Sequence, residues 1–304
     1  MTILQTARVG EIRSTLAWVR AAGFIGFPEL TLGRLWRSLA RPLIVVLYGL
    51  GGGVALTVWA SFTAMFGKPV DAWCYYRIAP GAPYWQTDYA FVYSPAAAQA
   101  MIPFQILSFE VFVGLVRAAE LAAAFALAGP LLPLVILWPP LASEINAANI
   151  NLLIVAVAVW GLRWPALWSL VLLTKVTPGI GLVWFAVRRE WRNLGIALGV
   201  TGAIVAASFA YAPGLWFEWP RYMATLTPSD GVPLWARMLA AAAVVAWGAR
   251  TDRAWTVVLA VTIAMPRLHF MTPAMLIGLL YYVRPHGEWR IRPAAMARPA
   301  PQPR

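Results

Sequence analysis

The chain has 304 residues, of which 61% are apolar and only 12% charged. A soluble domain has roughly 45–50% apolar and about 25% charged residues, so an ordinary soluble enzyme, a disordered chain and a disulfide scaffold are excluded; the single cysteine, Cys74, allows no internal disulfide. Basic residues number 24 and acidic residues 12, a net charge of +12. The apolar residues run in long blocks without the alternation of a β-barrel, which leaves an all-α, polytopic transmembrane helical bundle.

Residues 1–42 carry Arg8, Arg13, Arg20, Arg34, Arg37 and Arg41 among short apolar patches. They are expected to form a cytoplasmic amphipathic segment that hugs the interface. Residues 43–66 are 24 positions without a charge. At ~1.5 Å per residue they reach about 36 Å, enough for a hydrocarbon core about 30 Å thick. A polar, aromatic loop follows over 67–92, with Lys68, Asp71, Arg77 and Asp88 as its charges.

Further apolar stretches run near 95–107, 109–128, 130–142, 145–162, 165–187, 194–212, 233–249, 253–265 and 268–283. Several are shorter than the ~17 residues of a full span. Half-helices or re-entrant pieces are therefore expected, within a total of about 8–10 crossings. With ten crossings and the N-terminus inside, the arginines at 188–192, 250–253 and 284–304 all fall inside, and the 67–92 and 214–232 loops fall outside. The same count puts Glu144 at the inner side. Trp164, Trp184, Trp191, Trp216, Trp219 and Trp235 stand near span ends, where an interfacial belt would place them. Residues 43–283 thus read as the transmembrane domain and 284–304 as a disordered cytoplasmic tail. Arginines gathered at membrane flanks do not form a nucleic-acid groove, so no nucleic-acid partner is expected.

The charges inside this apolar frame are the candidates for chemistry. Asp71 follows the first span at the outer face beside Trp73, Tyr75 and Tyr76. A carboxylate there can serve as a general base or simply be a loop residue; Asp88 is a second loop carboxylate. Tyr93, Ser94 and Pro95 mark a loop-to-helix start. Arg117 and Glu120 are three apart and can pair on one helix face, while Glu144, Asn146, Asn149 and Asn151 open an apolar stretch as helix glue or as a site. Lys175 lies mid-span near Pro178. A charge at that depth costs about 2.5–3.5 kcal/mol even on lenient scales, so Lys175 should meet an anion or a carboxylate such as Glu144. Arg267 and His269 open the last apolar stretch on the side expected for Asp71. No cluster has metal-ligand spacing, and there is no phosphate-binding glycine loop or nucleophile elbow.

Taken in order, these fragments resemble glycosyltransferase family 87, a GT-C group that uses polyprenol-phosphate mannose. The matching residues are Asp71, Tyr75 or Tyr76, Gly81, Tyr84, Tyr93 and Pro95 in the first loop; Asn149 and Asn151 after a Pro-rich turn; Lys175 and Pro178 before a basic end at Arg188, Arg189 and Arg192; and His269 with Phe270. Ala148 stands where a glycine is usual. The resemblance implies an inverting hexosyltransferase, with mannose as the expected sugar, in a bacterial plasma membrane with its active site on the extracytoplasmic side. It implies no cofactor, with a polyprenyl-phosphate-linked sugar as co-substrate and a lipid or glycan hydroxyl as acceptor. Asp71 would be the base, and Lys175, Arg267 and His269 would hold the donor phosphate. Tyr75, Tyr76, Trp85, Asp88, Tyr93, Asn149 and Asn151 would contact sugar or acceptor. A lipid or small-molecule transporter, or a non-catalytic membrane protein of the same fold, are the alternatives; a transporter would string its polar residues across the bilayer.

Overall fold

The computed structural model describes residues 69–78, 83–84, 91–226 and 231–283, all within the larger of two compact units, Leu50–Arg304. The expected N-terminal segment, first span and tail, together with Trp85 and Asp88, lie outside the described residues. All regular structure among the described residues is helical, as the composition requires of an all-α membrane protein.

Helix α1 (Val70–Tyr76) stands inside what reads as a loop, with Pro69 before it and Asp71 in its first turn. The expected start at 93–95 is present: the Ser94 hydroxyl accepts from the Ala97 amide and Pro95 opens α2 (Pro95–Met101). Ser108 caps α3 (Phe109–Ala128) in the same way. Through a 3-10 turn and α4 (Leu132–Val135), this helix makes one apolar segment of 27 residues, Phe109–Val135. It joins two stretches that the sequence separates at Pro130, because proline at the start of a new turn costs no hydrogen bond.

Helices α5 (Pro139–Ala147) and α6 (Asn151–Trp160) replace the single stretch expected over 145–162 and meet at a 108° bend. Ala148 at the corner is left-handed, φ 51° and ψ 54°. The exposed start of α6 is satisfied by side chains: Asn149 Oδ1 accepts from the Ile150 amide at 2.8 Å, and Glu144 Oε1 from the Asn151 amide at 2.9 Å.

A second break falls at Lys175. Helix α7 (Trp168–Thr174) ends there, Lys175 is extended, and a 3-10 segment (Thr177–Leu182) leads into α8 (Val183–Val187). Fully buried Trp168 lies against Gly161 and Gly181, where a Cβ on either would collide with its ring. Only glycine lets the two half-helices close on this indole.

Helix α9 (Trp191–Tyr211) is the second long apolar helix, and α10 (Pro213–Thr225), α11 (Leu234–Thr251), α12 (Trp255–Ile263), a 3-10 segment (Thr272–Leu279) and α13 (Leu280–Val283) follow. Among the described residues two helices are long and apolar enough to cross a membrane, or three if the bent α5–α6 pair is one span. The stretches at 95–107, 165–187 and 268–283 are each broken into helices shorter than a span. Trp164, Trp191 and Trp235 are exposed near helix starts, but Trp184 is buried in the main core, where the Arg188 guanidinium covers its ring at 5.2 Å.

Side chains from α6, α7, α8, α11, α12 and the Thr272–Leu279 segment build one core. A second, aromatic core is built by α1, Tyr84, Phe91, Tyr93, α2, α3 and α10. The two ends of the bundle differ. At one, Arg188 pairs with Glu190 and Asp252, each at 2.8 Å, which joins the 188–192 and 250–253 clusters. At the other, Tyr222 of α10 stacks on Tyr84 at 5.7 Å and the Trp219 indole donates to the Val92 carbonyl at 3.2 Å, which joins the two loops expected to share the outer face.

Candidate active site

Asp71 and Tyr75 lie one turn apart on α1, and the site is built from that turn. The Tyr75 hydroxyl donates to Asn149 Oδ1 at 2.9 Å and is 2.9 Å from the Tyr93 hydroxyl. Since Tyr75 spends its one proton on Asn149, Tyr93 is the donor between the two phenols. The Tyr93 carbonyl in turn accepts from Tyr84 at 3.0 Å.

Behind this pair lies fully buried Glu144. Its Oε2 accepts from Asn151 Nδ2 at 3.0 Å and Asn149 Nδ2 at 3.4 Å. Asn151 Oδ1 accepts from Lys175 Nζ at 2.6 Å, and Nζ lies 5.8 Å from the centre of the Tyr93 ring. Tyr75, Asn149, Glu144, Asn151, Lys175 and Tyr93 thus form a closed circuit of polar contacts. The expected meeting of Lys175 with Glu144 is made through the Asn151 amide.

This circuit corrects the placement of Glu144 at the inner side. Glu144 is hydrogen-bonded to Asn149, which holds Tyr75 on the same helix as Asp71, so Glu144 and Asp71 belong to one face. The count of crossings fails ahead of Glu144, because Phe109–Val135 is one apolar segment where the count has two crossings. Asn149 and Asn151 therefore do reach the site.

Asp71 is half-buried. Burial pushes its carboxyl above the usual carboxylate range, and the charges of Lys175 and His269, both within electrostatic reach, pull it back. His269 is exposed and held through its backbone: its amide donates to Thr272 Oγ1 at 2.9 Å, and the Thr272 amide to its carbonyl at 2.9 Å. Arg267 is also exposed, and its charge reaches the Tyr222 hydroxyl.

Tyr76 faces elsewhere: its hydroxyl donates to the Leu107 carbonyl at 2.7 Å and its ring packs on Phe109 and Phe112. The Arg117–Glu120 pair is not hydrogen-bonded. Arg117 reaches the end of α5 instead, donating to the carbonyls of Ile145 at 3.2 Å and Asn146 at 2.7 Å, and neither oxygen of buried Glu120 has a hydrogen-bond partner among the described residues.

Arg237 escapes the sequence reading. It is buried, and it donates to the carbonyls of Met265 at 2.6 Å and Pro266 at 3.1 Å, which pins the strand of chain that carries Arg267 and His269. Its signal is a lone charge within the apolar run 233–249.

A cavity of about 340 Å³ opens beside the circuit. Its walls are apolar: Tyr75, Tyr93 and Thr174 stand at the polar end, and Phe104, Phe112 and Leu115 carry it towards the exposed flank of α3.

No curated protein and no solved structure matches the chain. The model of glycosyltransferase family 87 matches residues 91–295, a span that takes in Tyr93, Asn149, Asn151, Lys175, Arg267 and His269. Asp71 and Tyr75 stand upstream of it, tied to the matched part by the Tyr75–Asn149 and Tyr75–Tyr93 contacts. With well over half of its length matched, the chain belongs to glycosyltransferase family 87 and is a membrane glycosyltransferase.

Proposed function

We propose that the chain transfers mannose from a polyprenyl-phosphate donor to a hydroxyl of a lipid or glycan acceptor, at the outer face of the membrane and with inversion. The observation that carries this reading is that one carboxylate, Asp71, lies within electrostatic reach of Lys175 and His269 and one helical turn from Tyr75, which lines an apolar cavity. The acceptor oxygen attacks the anomeric carbon on the face opposite the phosphate. As that bond forms, the bond from the anomeric carbon to the phosphate oxygen breaks, and the hydroxyl proton passes to Asp71. The leaving phosphate gains charge, which Lys175, His269 and Arg267 would neutralise. An apolar cavity leading from this point to the lipid-facing side suits an isoprenoid chain. No resident cofactor enters the scheme, and membrane lipids and the two substrates are its only partners. Trp85 and Asp88, which follow Tyr84 in the sequence, would stack on and hydrogen-bond a sugar ring.

A lipid or small-molecule transporter is disfavoured, because Glu144 and Lys175 gather around Asp71, and Glu110 is exposed at the start of α3. The test is incubation of the purified protein with radiolabelled polyprenyl-phosphate mannose, the glucose and arabinose analogues, and a nucleotide-linked mannose, each with an acceptor lipid pool. Label should pass from polyprenyl-phosphate mannose to the pool with inverted anomeric configuration. Transfer from the nucleotide sugar alone would overturn the reading.

A further inference from the structure

We infer that Glu144 is a positioning residue: it sets the polarity of two side-chain amides, and through them the place of the Lys175 ammonium and the Tyr75 hydroxyl. The inference rests on the proposed reading only in that Lys175 meets the donor phosphate.

A carboxylate accepts and does not donate. Three N–H groups converge on Glu144: the Asn151 amide at 2.9 Å, Asn151 Nδ2 at 3.0 Å and Asn149 Nδ2 at 3.4 Å. With both NH2 groups turned to Glu144, both carbonyl oxygens point away from it. Asn151 Oδ1 then receives Lys175 Nζ at 2.6 Å. Asn149 Oδ1 receives the Tyr75 hydroxyl at 2.9 Å and the Ile150 amide at 2.8 Å.

The orientation is over-determined. An ammonium and a backbone amide are donors only, so each requires an oxygen where the structure has one. A flipped Asn151 would set its NH2 against the Lys175 ammonium, and a flipped Asn149 would set its NH2 against the Ile150 amide. Glu144 has no contact of its own with Lys175 within ion-pair distance among the described residues, so its influence there passes through the amides. Its site also closes the 108° bend between α5 and α6, which makes the geometry of the corner and the place of Lys175 one property.

Glu144→Gln keeps the shape and reverses the polarity of one oxygen. With Oε1 replaced the Asn151 backbone amide faces an NH2, and with Oε2 replaced both asparagine NH2 groups do, so in either case the contacts of the two side-chain amides rearrange. The chain has Asn at 146, 149, 151 and 193, so protein labelled with [15N]Asn shows four side-chain NH2 pairs. In Glu144→Gln the pairs of Asn149 and Asn151 should both shift while those of Asn146 and Asn193 stay. In Lys175→Met the Asn151 pair should shift and the Asn149 pair stay. In the transfer assay Glu144→Gln should raise the donor KM by about tenfold, and its effect should vanish in a Lys175→Met background. Glu144→Asp keeps the acceptor charge, should give intermediate shifts and a partial return of KM, and serves if the glutamine variant does not fold. Unmoved Asn149 and Asn151 signals in both Glu144 variants, or additive KM effects, overturn the inference. Shifted signals in a protein that uses no polyprenyl-phosphate sugar leave Glu144 as the positioning residue and sink the proposed function instead.

Discussion

Asp71 is subject to opposing effects. Burial disfavours its charge, while the Lys175 and His269 charges favour it, and the first is the larger. As a base it acts only when deprotonated, so kcat/KM should rise with pH through a value above the ordinary carboxylate range, near 3.9 in peptides, and level off above it. Asp71→Asn keeps size and most hydrogen bonding but cannot take a proton. It should lower turnover by about 10²–10⁴-fold, with donor binding little changed and the acid limb of the pH profile gone. Near-normal transfer by this variant, measured with radiolabelled donor, would remove Asp71 as the base. Lys175→Met has the opposite signature: it should weaken donor binding more than it lowers kcat, because the ammonium meets the phosphate before and after the chemical step. The thermal transition should fall by a few degrees, because methionine fills the space of the lysine stem but leaves the buried Asn151 Oδ1 without its donor, a cost of about 1–3 kcal/mol.

The bends of the chain decide which residues meet. Asp71, Lys175 and His269 were legible as candidates because a charge in an apolar frame is conspicuous in one dimension. Their partnership was not, since it depends on the α5–α6 corner and on the break at Lys175. The Tyr75–Asn149 bond joins residues 74 apart, and no periodicity records such a contact. The role of Arg237 is not legible in the sequence because carbonyls recruit it, and carbonyls have no sequence signature. Helix α1 was hidden because its seven residues are too few to show a period.

Ala148 tests the corner directly. It sits at φ 51° and is fully buried. Replacing it by glycine relieves a left-handed Cβ, about 1 kcal/mol, and removes a buried methyl, about 0.8 kcal/mol in the other direction. Ala148→Gly should therefore be near neutral. Ala156→Gly, also buried but within α6, loses the methyl and about 1 kcal/mol of helix propensity, and should lower the melting temperature by several degrees in detergent. Equal losses from the two variants would mean that the left-handed corner is unstrained.

At the scale of the whole molecule, the two ends of the bundle carry different chemistry. One gathers Arg188, Glu190 and Asp252, and the other joins the first loop to α10 beside Asp71. From Lys175 to Arg188 the chain runs through six residues of 3-10 helix and five of α-helix, a rise of about 20 Å. Against a core about 30 Å thick, an Arg188 at the inner surface puts Lys175 in the outer half, within reach of a phosphate that has entered from the outer leaflet. The arginine bias gives the direction: basic ends remain inside. In a Cys74→Ser background, Val232→Cys should react with a membrane-impermeant maleimide on intact cells, because Val232 is exposed at the turn before α11. Glu190→Cys leaves Arg188 its bond to Asp252 and should react only after the membrane is opened. Labelling of position 190 from outside would invert the whole arrangement and put Asp71 at the cytoplasmic face, where a nucleotide-linked donor would be the natural substrate.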